Sequence, residues 1–326
     1  MAPVDLQPLP VVVSPREFES ASGFILRAAR SNGMRTSGIH AALGLPARRT
    51  LGRSEIPLLA GLTQASPSWF EWRMPDIVWR DGYRELRLFG QAWNADWSLR
   101  RSRQQMCHEC LRSEGLSQYV WDLTLYCACP DHGILLQDHC GHCGQSLQVN
   151  RPSWDVCNCR HYLVTVGSRP PAASQEVLDW CRWISHALNP AEHPSPHLPR
   201  PLANFLSGMS VDGASRILLA FAGGTRVLSS TRQHAVQPWL PTAAIAEIVH
   251  QGMRQLTAFT QTNSQSSALP VVGVEDILRM AALGHTEVDR ARAAWVLRRL
   301  KGHRAPLRRH RDLDVQPDLF SDLETA

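Results

Sequence analysis

Apolar positions recur at helical spacing through most of the chain. Near the N-terminus Phe18, Ala21, Ile25 and Ala28 define one face, and Ser14-Pro15-Arg16-Glu17 ahead of them reads as a capping box with proline at the first helical position. Ser31-Asn32-Gly33 supplies a stop, because asparagine and glycine tolerate the left-handed conformation at a helix end. A second short helix fits Ser37 to Leu43, ended by Gly44 and Pro46. The two together have a helix-turn-helix-like outline. Further helical patterns cover Val177 to Leu188, Ser210 to Ala222 and Thr242 to Phe259. A last pair runs from Val274 to Leu283 and, after a Gly284 turn, from Glu287 to Leu300. In that last helix Val288, Ala291 and Trp295 are expected to line one face and Arg290, Arg292, Arg298 and Arg299 to reach solvent.

Between these helical ends the pattern changes. Residues 51 to 105 carry Trp69, Trp72, Trp79, Trp93 and Trp97, read as a core layer packed against a cysteine-rich region. Arg169-Pro170-Pro171 marks a linker, the five prolines from Pro190 to Pro201 a second connector, and Gln261 to Ala268 a polar loop. The expected organisation is an N-terminal helical, helix-turn-helix-like domain over 1–105 and a double zinc-binding region over 106–168. A helical domain over 169–270 and a helix-turn-helix-like segment with an Arg-rich tail over 271–326 follow. The fold class is therefore mainly α, with small zinc-ribbon-like β hairpins.

The chemistry is concentrated in four knuckles: Cys107-His108-Glu109-Cys110, Cys129-Pro130-Asp131-His132, Cys140-Gly141-His142-Cys143 and Cys157-Asn158-Cys159. Each places two soft or borderline donors two or three positions apart, the bite that sets adjacent vertices of a zinc tetrahedron. Sequential pairing yields Cys107, Cys110, Cys129 and His132 as one site, and Cys140, Cys143, Cys157 and Cys159 as another. A crossed pairing fits the spacing too, though short separations favour the sequential one. Two zinc ions of structural type are expected. Cys127 and Cys181 are read as packing cysteines, and His108, His139, His142 and His161 as surface or supporting groups. The histidine–x–glutamate motif followed by Pro-Cys-x-x-Cys that a zinc deaminase needs does not occur in that order.

Charge sharpens the picture at one end. The 326-residue chain has a formal charge of +5 and one lysine, Lys301. Between residues 290 and 311 stand Arg290, Arg292, Arg298, Arg299, Lys301, Arg304, Arg308, Arg309 and Arg311 with no acid, so the remainder is net negative. Guanidinium groups suit phosphate contacts, which makes this stretch the candidate nucleic-acid-binding segment. No membrane-length apolar run and no signal-peptide pattern stand in the sequence, which points to the cytoplasm and to reduced thiols.

The combination resembles the TniQ family of transposon accessory proteins. The likeness rests on Pro8-Leu9-Pro10, Glu19-Ser20, Arg27 and Asn32-Gly33 near the N-terminus. It continues through Cys107-x-x-Cys110-Leu111, Trp121, Cys129-Pro130-x-His132, Leu136, Cys140-x-x-Cys143-Gly144 and Leu147, over roughly residues 8 to 165. The chain departs from the family in having Ser22-Gly23-Phe24 in place of Ser-Trp, and Arg160 after the closing pair where a glycine is usual. The resemblance implies a non-enzymatic, zinc-stabilised adaptor in DNA recombination. It would link target DNA, or an RNA-guided complex, to a transposon AAA+ ATPase, with homodimerisation left open. The alternative is a stand-alone zinc-containing DNA-binding regulator. No Walker A loop, nucleophile elbow or acidic triad stands in the sequence to suggest catalysis.

Overall fold

The computed structural model describes residues 7–46, 51–80, 83–94, 97–100, 103–164, 170–223, 240–261 and 272–302. Among the described residues, four α-helices build the N-terminal part: α1 (Ala21–Ser31), α2 (Thr36–Ala42), α3 (Ile56–Thr63) and α4 (Pro67–Arg73). Phe24, Ile39, Leu59 and Phe70 are fully buried in the apolar cluster they share. Trp69 sits at the edge of this cluster, edge-on to Phe24 at 5.1 Å.

The first helix starts later than the Ser14 capping box suggests. Its N-cap is Ser20, whose hydroxyl accepts from the Gly23 N–H at 2.9 Å. The residues before it are held by tertiary contacts instead. The buried Glu19 carboxylate accepts from the Arg16 backbone N–H and takes both arms of the Arg27 guanidinium at 2.8 and 2.7 Å. Satisfying a buried carboxylate outweighs a local capping preference. The stop at Asn32-Gly33 is where the residue types place it, with Gly33 at φ +67°.

After α4 comes an antiparallel meander that the tryptophan-rich pattern does not foretell: β1 (Asp76–Arg80), β2 (Tyr83–Leu88) and β3 (Gln91–Asn94), in that spatial order. The register pairs Ile77 with Leu86 and Leu86 with Trp93. Leu86 and Trp93 are buried, and Trp72 and Trp97 pack against the same cluster. Trp79 does not join this layer: it is 73% exposed on the edge strand β1.

The cysteine-rich region has little regular structure. It contains α5 (His108–Glu114) and a minimal hairpin of β4 (Ala128–Cys129) and β5 (Ile134–Leu135). Among the described residues, six helices follow: α6 (Gln175–Leu188), α7 (Arg200–Leu206), α8 (Val211–Phe221), α9 (Thr242–Gln261), α10 (Val274–Leu283) and α11 (Glu287–Gly302). Helices α8 and α9 approach closely at Gly252, where a Cβ would stand 2.7 Å from the Leu218 carbonyl oxygen. In α11 the buried face is Ala293, Val296 and Leu300, while Ala291 is exposed and Val288 and Trp295 pack only partly. The face is turned because Asp289 is fully buried. Its carboxylate accepts from the Ser210 N–H at 3.0 Å and the Ser210 hydroxyl at 2.7 Å, tying the start of α11 to that of α8.

A single apolar cluster runs from Leu86 through the cysteine-rich region to Leu300. Its members include Cys107, Cys110, Cys129, Cys140 and Cys157, so the candidate metal donors border the main core. The architecture is mainly helical with small antiparallel strand pairs, as the pattern indicates. Among the described residues, no helix is long and apolar enough to cross a membrane.

Candidate metal centres

The structure gathers the knuckles in sequential pairs. Cys107, Cys110, Cys129 and His132 form one group and Cys140, Cys143, Cys157 and Cys159 another, each with its donor atoms within 4.8 Å of one another. The crossed pairing does not occur.

Local backbone geometry explains why each knuckle can bite. Cys107 is the N-cap of α5, and Cys110 lies in its first turn, so the helix start sets their separation. The other three knuckles share a different device. Each ends on a residue in the left-handed region whose N–H returns to the carbonyl of the first cysteine: Gly133 to Cys129, Gly144 to Cys140 and Arg160 to Cys157, all at 2.9 Å. Gly133 and Gly144 adopt this conformation at no steric cost, while Arg160 adopts it at φ +72° with a side chain.

The donor separations match a tetrahedral ion. A metal–sulfur distance of about 2.3 Å puts sulfurs about 3.8 Å apart, and sulfur and imidazole nitrogen about 3.6 Å apart. In the second group Cys140 and Cys159, and Cys143 and Cys157, are each 3.8 Å apart. In the first, His132 Nδ1 lies 3.5, 3.3 and 3.4 Å from the sulfurs of Cys107, Cys110 and Cys129, and Cys110 is 3.5 Å from Cys129.

Proton sharing within the first group carries the same message. Hydrogen bonds from Cys110 and Cys129 hold the Cys107 thiol down to about 4, while those with Cys107 and Cys129 push Cys110 far above the usual thiol range. One thiolate is accommodated by its neighbours; ionising all three at this separation requires a cation among them. In the second group burial pushes the Cys157 thiol up to about 12. Both groups could therefore each hold a metal ion.

The two groups differ in their surroundings. Cys107, Cys110 and Cys129 are all buried, whereas in the second group Cys143 is only half-buried and Cys159 is exposed. Cys127 and Cys181 are buried and belong to neither group. His139 is engaged by Asp138 at 2.7 Å, and the buried His108 lies 3.0 Å from Glu109. His142 and His161 stack face to face, 4.8 Å between centroids and 12° between planes.

Two buried polar networks that the sequence does not announce hold these groups in place. The first joins the cysteine-rich region to α9. Asp138 accepts from the Thr242 N–H at 2.6 Å at the start of α9 and lies 3.8 Å from the buried Arg100, which in turn donates to the Thr242 hydroxyl at 3.2 Å. Gln105 accepts from that hydroxyl at 2.9 Å and donates to the carbonyls of Trp121, Leu123 and Tyr126. Burial lowers the Arg100 guanidinium to about 10 against the pull of Asp138.

The second network joins the loop between Cys143 and Cys157 to the N-terminal helices. Arg151 is 2% exposed. It donates to the carbonyls of Gln148, Ser153 and Trp154 and to the side-chain oxygen of Gln104. Gln104 donates to the Ser22 hydroxyl on α1 at 2.7 Å, and Thr36 at the start of α2 donates to the Arg151 carbonyl at 3.3 Å.

The candidate nucleic-acid residues divide. Arg292 donates to the Asn204 carbonyl and lies over the Phe205 ring, and Arg299 lies over Phe259 and Trp295. Arg290 donates to the Gly284 carbonyl at 2.8 Å. Arg298 and Lys301 are exposed. Arg304, Arg308, Arg309 and Arg311 lie outside the described residues, as does most of the Gln261 to Ala268 stretch.

Fold and donor sets together define a mainly helical protein with two groups of Cys and His donors that could each hold a metal ion. The TniQ family model matches residues 10–136, which supports assignment of this part of the chain to that family. This match supports a transposition-associated accessory protein. The matched span contains the whole first group and ends before Cys140. No curated protein matches the chain.

Proposed function

We propose that this protein is a non-enzymatic adaptor of transposition, stabilised by two zinc ions, that links a target to a transposon AAA+ ATPase. The observation that carries the reading is that the TniQ domain encloses a complete tetrahedral donor set. Cys107, Cys110, Cys129 and His132 would hold one ion, and Cys140, Cys143, Cys157 and Cys159 the other. All-thiolate and three-thiolate, one-imidazole sets are those of closed structural zinc. What zinc supplies there is cross-linking: its binding free energy becomes folding free energy. Residues 106–168 form the metal-bearing part of this reading, 1–105 and 169–270 the helical parts on either side, and 271–326 the segment that meets DNA.

For the DNA contact, exposure favours Arg298 and Lys301 over Arg292 and Arg299, whose guanidinium groups already lie on aromatic rings. The residues 304–311 extend the same positive run in sequence. Phosphate contacts of this kind release counterions, so affinity should fall steeply with salt. Reversing the charge of Arg298, Arg308 and Arg309 together should weaken duplex binding and flatten its salt slope; an unchanged slope removes the segment from the interface.

The decisive test of the function is recovery of partners from the native host with a tagged chain, followed by mass spectrometry. Recovery of an AAA+ ATPase supports the adaptor, and co-recovery of ribonucleoprotein subunits would make the target RNA-guided. DNA recovered without an ATPase would favour a stand-alone zinc-containing DNA-binding regulator. Sedimentation of the purified chain decides whether the unit is a homodimer.

A further inference from the structure

The second donor group has a weak corner. Cys140 and Cys157 are buried and Cys143 is half-buried, but Cys159 faces solvent. It is also held by the tightest bite of the four, one residue from Cys157, and the turn that closes it places Arg160 in the left-handed region. A metal–sulfur bond at an exposed, strained corner is the one that water, protons or oxidants reach first.

A fifth donor stands beside that corner. His142 Nδ1 lies 4.0 Å from Cys159 Sγ, close to the 3.8 Å that separates Cys159 from Cys140 within the group. His142 occupies the middle of the third knuckle, between Cys140 and Cys143, so its backbone is already anchored by two donors of the same group. The parallel stack on His161 fixes the plane of its ring. The His161 backbone is itself tied to the group, its carbonyl accepting from the Cys157 N–H at 2.9 Å. The other histidines of the region are placed differently: His139 is engaged by Asp138, and His108 faces Glu109. Imidazole nitrogen is an accepted donor for the metals that thiolates hold.

We propose that His142 is a reserve ligand of the second centre, taking the vertex of Cys159 when that thiolate is withdrawn. This rests on the reading that the second group holds a metal ion. The exchange is a ligand substitution with no electron transfer. The bond to Cys159 sulfur breaks, a bond to the neutral His142 ring nitrogen forms, and the released thiolate takes one proton from water. The donor set becomes three cysteines and a histidine, the set already present at the first group. The second centre would then survive loss of its exposed cysteine by changing its coordination.

The test uses the full chain loaded with cobalt(II), whose visible bands report the sulfur and nitrogen donors. The wild-type chain should retain two ions per chain after dialysis. Cys159→Ala should also retain two, with weaker thiolate charge transfer and a shift of the ligand-field bands toward a three-sulfur, one-nitrogen site. Cys159→Ala combined with His142→Ala should retain one. If Cys159→Ala alone falls to one ion, or the double variant keeps two, the proposal is wrong. A wild-type chain that takes up a single ion overturns the metal reading of the second group itself. A second measurement spares every cysteine. Release of the second ion to a competing chelator should be roughly tenfold faster in His142→Ala than in wild type, the scale of losing a supporting metal-site residue. Equal rates would overturn the proposal.

Discussion

The two donor groups are built from the same kind of knuckle and sit in different physical surroundings. The first lies inside the TniQ-matched span, has all three of its cysteines buried, and shares the main apolar cluster with β2, β3 and the C-terminal helices. The second lies beyond that span and has an open side at Cys143 and Cys159. Its loop places Leu147 in the main core and, through Arg151, also reaches the N-terminal helices. Burial therefore decides what a cross-link is for. A metal ion held inside the core would be bound up with folding of the whole, whereas one at the edge would fix the placement of a neighbouring unit.

The largest effect that can break this contrast comes from removing one donor from each group. Cys110→Ser should abolish cooperative folding, since a structural zinc site contributes on the order of 10 kcal/mol and a whole domain is stable by only about 5–15 kcal/mol. Cys157→Ser should leave the thermal transition of the main core in place and speed hydrogen exchange in residues 144–156 and in α1 and α2. Circular dichroism during heating and exchange mass spectrometry read both. Equal loss of structure in the two variants would show that the second centre is as central as the first.

A smaller perturbation probes the link itself. Arg151→Met keeps the stem and removes the guanidinium, taking its hydrogen bonds from the Gln104 side-chain oxygen and the Trp154 carbonyl. Stranded acceptors cost about 1–3 kcal/mol each, so a loss of roughly 3 kcal/mol is expected, measured by denaturant midpoint. Exchange should rise at α1 and α2 while both ions stay bound. If the helix pair is unaffected, the second centre has no lever on it.

The same contact region should respond to pH. Burial pushes the Asp122 carboxyl up from its ordinary 3.8 to about 7, against the pull of the Ser22 hydroxyl and Arg151. The folded chain thus binds this proton more tightly than the unfolded chain between those values. The contribution is present at low pH and is lost as pH rises through about 7. Thiolate ligands impose the opposite trend, because protons compete with the metal at low pH. The difference between wild type and Asp122→Asn isolates the carboxyl. The stability advantage of wild type should shrink from pH 5 to pH 8, and a constant difference would remove Asp122 from the account.

What the sequence discloses follows the range of the interaction responsible. Knuckle spacing is local, and the eight residues the structure gathers into two groups can be named from it. Helical period is local as well, which is why α6 and α8 to α11 lie where the apolar residues put them. The meander was within reach: Asp81-Gly82 is a hairpin dipeptide, and Ile77, Trp79, Leu86 and Leu88 alternate around it. The tryptophans there read equally well as a core layer, and the exposure of Trp79 follows from its place on an edge strand. Other features depend on distant partners. Glu19 overrides the Ser14 capping box through Arg27, and Arg151 is a buried hub although arginine in a loop reads as surface. Arg292 and Arg299 spend their cations on aromatic rings that come from α7, α9 and their own helix.

The finest distinction between the centres is one residue. Gly133 closes a knuckle of the first group and Gly144 one of the second, but Arg160 closes the last, in a left-handed conformation that disfavours any side chain with a Cβ. Arg160→Gly should therefore stabilise the second centre by about 1 kcal/mol, part of it offset by the greater freedom glycine has in the unfolded chain. The first centre is the internal control, because nothing in it changes. Chelator competition on the two ions separates the outcomes: the second ion should leave more slowly in the variant while the first is unaltered. Faster loss would mean that the Arg160 side chain itself braces the exposed corner at Cys159, and that the strain is offset by a contact the glycine cannot make.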